Sequence, residues 1–286
     1  MNLQNIFTEI EKIDPEVYDR MDTRRRTMQR FAFAGKVLAA AAIPSALGAM
    51  FKKAYGQTSA SIVNVLNFAL TLEHLEAEFY TRGVAATNLI PAGPAVAALT
   101  LIRDHENAHV AFLRTAITAA GGTPVAKPNF DFSGGNGSGT GPFATAFSNY
   151  AVFLAVAQTF EDTGVRAYKG QAGNLMSNND VLQAALQIHS VEARHAAHIR
   201  YMRRNAGTLG AGQIQPWITR NLTNIETGNA AANAAIQKSY NGEENTTQGG
   251  VNVSNLAGLG VDVNTEAFDE PLTMAQVLDI VDPFIV

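Results

Sequence analysis

Four stretches of this chain repeat their apolar residues at the three- and four-residue spacing of a helix, and each carries a glutamate inside the apolar stripe. The first stripe includes Val65, Leu66, Ala69, Leu70, Glu73, Ala77 and Tyr80. The second holds Leu99, Ile102, Glu106, His109, Leu113 and Ile117. The third runs through Phe147, Leu154, Ala157, Glu161, Val165 and Tyr168, and the fourth through Leu182, Ala185, Ile188, Glu192, His195 and Ile199. A carboxylate on a buried face costs several kcal/mol, roughly, unless something pairs it. Four such faces therefore demand a fold that brings the acids together around a counter-charge.

Punctuation sets the helix limits. The first helix is predicted from Ser61 to near Thr87. The second starts at Pro94, a good first-turn residue, and stops at Gly121-Gly122. The third is predicted from near Pro142 to about Gly170, and the fourth from about Asp180 to Ala206, with Gly207 as the stop. The outer pairs are joined by short loops, so each pair is antiparallel. Residues 121–142 form a Gly/Pro/Ser/Asn-rich linker, which at about 3.3 Å per residue spans about 70 Å, enough to run the length of a bundle. The expected architecture is all-α: a four-helix bundle with one long crossover between helices two and three. Residues 207–286 are expected to wrap on that bundle as an irregular extension, with a short helix over 271–281.

Depth along the bundle supports a shared site. Glu73 and Glu106 lie about 21 and about 18 Å from their common loop, at 1.5 Å per residue. Glu161 and Glu192 are matched in the same way across theirs. The order also repeats: Glu then Tyr seven residues on, followed by Glu-x-x-His, occurs as Glu73, Tyr80, Glu106, His109 and again as Glu161, Tyr168, Glu192, His195. This has the form of a duplicated helix hairpin. One Glu from each of two helices and Glu-x-x-His from each of the other two is the donor set of dinuclear carboxylate bundles. Four carboxylates neutralise two divalent ions, and one imidazole per ion suits iron or manganese. The expected cofactor is two Fe or two Mn ions. Glu76 borders the same face as Glu73 and is the alternative ligand. Tyr80 and Tyr168 either hydrogen-bond the ligands or are core tyrosines. His189 and His198 are expected near the ligand histidines, His74 and His105 in solvent, and Asp104 and Asp162 at the surface or orienting a histidine.

The set Glu73, Glu106/His109, Glu161 and Glu192/His195 resembles that of bacterioferritins, rubrerythrins and the wider ferritin-like superfamily. The runs LNFALTLEHLEAEFYTRG and AFDEPLTMAQVLDIVDPF are similar to one branch of it, which holds exported bacterial ferritin-like proteins and plant desiccation-related proteins. The resemblance covers residues 61–206 and 266–284. It implies a ferritin-like bundle whose metal pair meets O2 or peroxide. The activity expected is ferroxidase, peroxidase or catalase-like, or else a non-enzymatic metal-binding role in desiccation or stress protection.

Composition narrows the setting. The chain has no cysteine, which excludes disulfides, zinc–thiolate sites, Fe–S clusters and thiol catalysis. Its net charge is −4, and the basic excess is confined to residues 1–56, so a nucleic-acid partner is not expected. Arg24, Arg25 and Arg26 precede the weakly apolar stretch Phe31–Phe51. This resembles a twin-arginine export signal, with cleavage near Gly56 or after Ala60, and predicts a periplasmic or secreted protein. Residues 1–60 are read as that signal or an anchor, with no stable membrane span in the mature chain. A homo-oligomer is compatible with the pattern.

Overall fold

A computed structural model describes residues 60–207, 209–210, 214–248, 250–253 and 260–286. Arg24–Arg26 and the stretch Phe31–Phe51, on which the export reading depends, lie outside the described residues. Four long helices make the frame: α1 (Ala60–Ala85), α2 (Pro94–Ala119), α3 (Tyr150–Ala172) and α4 (Asn179–Ala206). The architecture is the expected all-α bundle. α1 packs along α2 and α3 along α4, with further packing between α1 and α3.

Local chemistry fixes each end. Pro94 opens α2. The Asn178 side chain accepts from Val181 N–H at the start of α4, and Gly207 closes that helix in the left-handed region (φ 64°). α3 begins at Tyr150, later than the expected start near Pro142. The Asn149 side chain caps it by accepting from Ala151 and Val152 N–H, while Phe143 and Ala146 turn into the core as part of the preceding loop. The crossover is thus longer than its Gly-rich part. It is also well anchored, because Phe130, Phe132 and Phe143 are buried. Asp131 gathers the glycine-rich turn by accepting from the N–H groups of Ser133, Gly137 and Gly139.

The C-terminal extension holds elements that the Asn/Gly/Thr-rich sequence did not announce. They are α5 (Ala230–Gln237), a two-residue hairpin β1–β2 (Thr247–Gln248, Val251–Asn252) and α6 (Gly260–Thr265). The expected last helix is α7 (Met274–Val281), opened by a capping box between Thr273 and Gln276. The extension covers α3, which explains why α3 is buried through most of its length. Arg166 leaves the metal side of α3. It donates to the carbonyls of Glu270 (2.7 Å) and Asn241 (2.9 Å) and pairs with Glu243 (2.7 Å). Arg203 donates to the carbonyls of Leu209 and Asn224 at 2.9 and 2.8 Å. Asp162, expected near the surface, is buried and accepts from both Arg200 and Tyr240. Gly170 allows the backbone of Leu272 to cross α3, where a Cβ would lie 1.9 Å from the Leu272 carbonyl oxygen. No described helix is long and apolar enough to cross a membrane.

Candidate metal centre

The four long helices deliver their acids to one level. Glu73 sits twelve residues before the end of α1 and Glu106 twelve after the start of α2. Glu73, Glu106, Glu161 and Glu192 are all fully buried, and His109 and His195 nearly so. Their donor atoms form two overlapping groups. One comprises Glu73, Glu106, His109 and Glu192; the other comprises Glu106, Glu161, Glu192 and His195. Within each group the atoms lie within 4.8 Å of one another. Glu106 and Glu192 belong to both, which is the placement needed to bridge two cations.

Each imidazole turns Nδ1 toward three carboxylates. His109 Nδ1 lies 3.1 Å from oxygens of Glu73, Glu106 and Glu192. His195 Nδ1 lies 2.8, 3.3 and 3.8 Å from Glu106, Glu161 and Glu192. A single N–H cannot serve three acceptors. Among the described residues, Glu106 Oε1, Glu161 Oε2, both oxygens of Glu192 and His195 Nδ1 are buried without a well-directed hydrogen bond. Orphaned donor atoms converging on common points fit a pair of cations, and their types, carboxylate oxygen and imidazole nitrogen, suit iron or manganese. In a protein interior such atoms are otherwise paired.

The electrostatics show the same shortage of positive charge. Burial and the neighbouring Glu192 push Glu106 well above the usual carboxylate range. Glu161 is pushed up to about 7 by burial, against the attraction of His195. His195 is raised to about 12: burial opposes its charging, but Glu161 and Glu106 overcome that. His109 is raised likewise by Glu73 and Glu106 against the cost of burial. The imidazolium ions thus take the place a metal would hold. Glu76 also faces this cluster. Burial and the charges of Glu192, Glu106, Glu161 and Glu73 raise it well above the usual carboxylate range. Gly164 makes its room, since a Cβ there would lie 3.2 Å from Glu76 Oε1 and 3.6 Å from Glu192 Oε2.

The tyrosines pair crosswise. Tyr80 on α1 donates to Glu161 on α3, and Tyr168 on α3 donates to Glu73 on α1, both at 2.5 Å. The sequence repeat therefore appears in space as a reciprocal exchange between the two hairpins. Residues 61–205 match the family model described as the ferritin-like domain. The chain belongs to the ferritin-like domain family. No curated protein matches it.

Within this ferritin-like domain, the structure brings together all six residues expected as ligands and both tyrosines, with Glu76 added. Other expectations are revised. His105, expected in solvent, lies with Nδ1 3.0 Å from His195 Nε2 and so holds the ring that aims Nδ1 at the carboxylates. His189 instead faces the Val165 carbonyl (2.9 Å), and His198 stacks obliquely near Tyr201. His74 is buried, and Asp104 is an exposed partner of Arg103. His105 precedes Glu106, so periodicity alone put it off the ligand face. The packing of α2 beside α4 brings it to His195.

Proposed function

We propose that this protein is a dinuclear iron or manganese carboxylate protein, exported from the cytoplasm, and an oxidoreductase that handles O2 or peroxide in stress protection. The reading rests on one observation above all: two four-residue donor groups share Glu106 and Glu192. Four carboxylates cancel the charge of two divalent ions, which makes a pair of ions the natural complement of the site. A redox-active pair bound there would supply electrons to the oxidant. The chain's own residues hold the frame. Tyr80 and Tyr168 fix one oxygen of Glu161 and Glu73, turning the second toward His195 and His109 respectively. His105 orients His195. Two Glu-x-x-His pairs place each imidazole beside a bridging carboxylate. Membership of the branch of exported and desiccation-related proteins, and export through Arg24–Arg26, belong to the same proposal and rest on the sequence alone.

A second reading, a non-enzymatic metal staple with a protective role, draws on the depth of the site, because the four carboxylates have no exposed surface. Metal analysis of the purified protein tests the site: about two ions per chain are expected, and fewer than that with no loss in Glu106→Ala/Glu192→Ala would refute it. Turnover separates the two readings. Metal-filled protein is mixed with peroxide, or with Fe(II) and O2; a filled site with no turnover leaves the staple.

A further inference from the structure

The bundle is not packed solid beside the metal centre. Where α1 begins and α3 ends, the four helices part around an apolar cavity of about 20 Å³. Ala69 lines it four residues before Glu73, Leu113 four after His109, and Ile188 four before Glu192. Four residues are about one helical turn, or about 6 Å, so the cavity lies one turn from the centre on three helices at once. On the fourth helix, the Tyr168 ring lines the cavity while its hydroxyl donates to Glu73. No described lining residue carries a charge, and among them the Gln171 amide and Tyr168 hydroxyl are the polar side-chain groups.

Size and polarity choose the occupant. Organic substrates of ordinary size take pockets of about 300–1,000 Å³, far beyond this one. A cavity lined by apolar groups stays dry and takes small apolar molecules such as xenon. Hydrogen peroxide or a hydrated cation would lose several hydrogen bonds on entering and find almost none in return. Dioxygen is small, neutral and apolar, and loses little.

We propose that this cavity, lined by Ala69, Leu113 and Ile188 and ending at the Tyr168–Glu73 pair, admits and holds dioxygen for the Glu73–His109 end of the centre. The chemistry of this inference rests on the metal reading above; the cavity's choice of ligand does not. It assigns O2, rather than peroxide, as the oxidant that arrives from this side.

Crystals of the full chain pressurised with xenon give the direct test. Xenon is expected beside Tyr168, whether or not metal is bound. Ala116→Leu on α2 and Ala185→Leu on α4, each made alone, fill the cavity from independent helices. Each is expected to abolish the xenon peak. In Fe(II)-loaded protein each is expected to slow oxidation by O2 about tenfold while oxidation by peroxide is unchanged. The inference is overturned if the unaltered protein takes up no xenon there. It is equally overturned if a folded variant that has lost xenon reacts with O2 at the original rate, or loses both rates alike. Xenon uptake by protein that binds no metal would support the gas site and sink the metal reading instead.

Discussion

At the scale of single residues, the centre divides its five carboxylates into two kinds. Glu73 shares a donor group with His109, whereas Glu76 faces the same cluster from beside Gly164 and belongs to neither donor group. Replacing each with its amide isostere separates them. Glu73→Gln is expected to lower the metal content from two ions per chain toward one, and Glu76→Gln to leave two; the reverse would make Glu76 the ligand. Tyr168→Phe removes the donor to Glu73 without disturbing the ring. Loss of a partner that orients a ligand costs about 10–100-fold in metal affinity, and that loss is expected in a metal titration of this variant. The candidate ligands were legible because a carboxylate or imidazole inside an apolar stripe stands out against its neighbours. Arg166, Arg200 and Arg203 were not, because a charged residue reads as a surface residue until its partners in a distant segment are known.

Helix limits show how far local sequence reaches. α1, α2 and α4 follow from Pro, Gly and Asn signals that act within a turn. The start of α3 does not, since Phe143 leaves the helical path to enter a core built by other elements. α5 and α6 had no long periodic apolar face to betray them: α5 sits beside α3 and the crossover, and α6 is held by Arg220 of the extension. The contact between α3 and the extension carries its own test. Alanine in place of a mid-helix glycine ordinarily adds about 0.5–1 kcal/mol of stability. At Gly170 the new Cβ would meet the Leu272 carbonyl, which is backbone and cannot swing aside. Gly170→Ala is therefore expected to destabilise by about 1–3 kcal/mol, as overpacking does, measured by denaturant unfolding.

For the molecule as a whole, the centre ties stability to pH and to metal. Glu161, at about 7 in the fold against an ordinary 4.5, is favoured in its neutral form. The stability it lends is complete below pH 4.5 and drains away as the pH rises through about 7. His195, raised to about 12 from 6.5, lends stability that is complete below pH 6.5 and is lost as the pH climbs toward 12. Glu106 and Glu76 act in the same sense as Glu161. Glu192, lowered to about 2 because the facing His109 and His195 outweigh its burial, works the other way and loses its contribution only below pH 4.5. Metal-free protein is thus expected to melt higher at about pH 5 than at about pH 8. Added Fe(II) or Mn(II) should raise the pH 8 melting temperature most and release protons as it binds, both readable by calorimetry.

The final residues of the chain have a part in when all this is assembled. Phe130 bridges Ile285, Asp131 N–H donates to the Phe284 carbonyl, and Val286 N–H donates to the Asn129 carbonyl. The crossover that joins the two hairpins is therefore stitched by a segment far from it in sequence. Each hairpin is closed by local contacts, whereas the lock on the crossover waits for a contact of high sequence separation. Deleting residues 282–286 is accordingly expected to leave helical content nearly intact while slowing refolding to the metal-binding state, followed by circular dichroism and metal uptake in parallel. Completion of the bundle thus becomes an event that waits on the meeting of two segments distant in sequence.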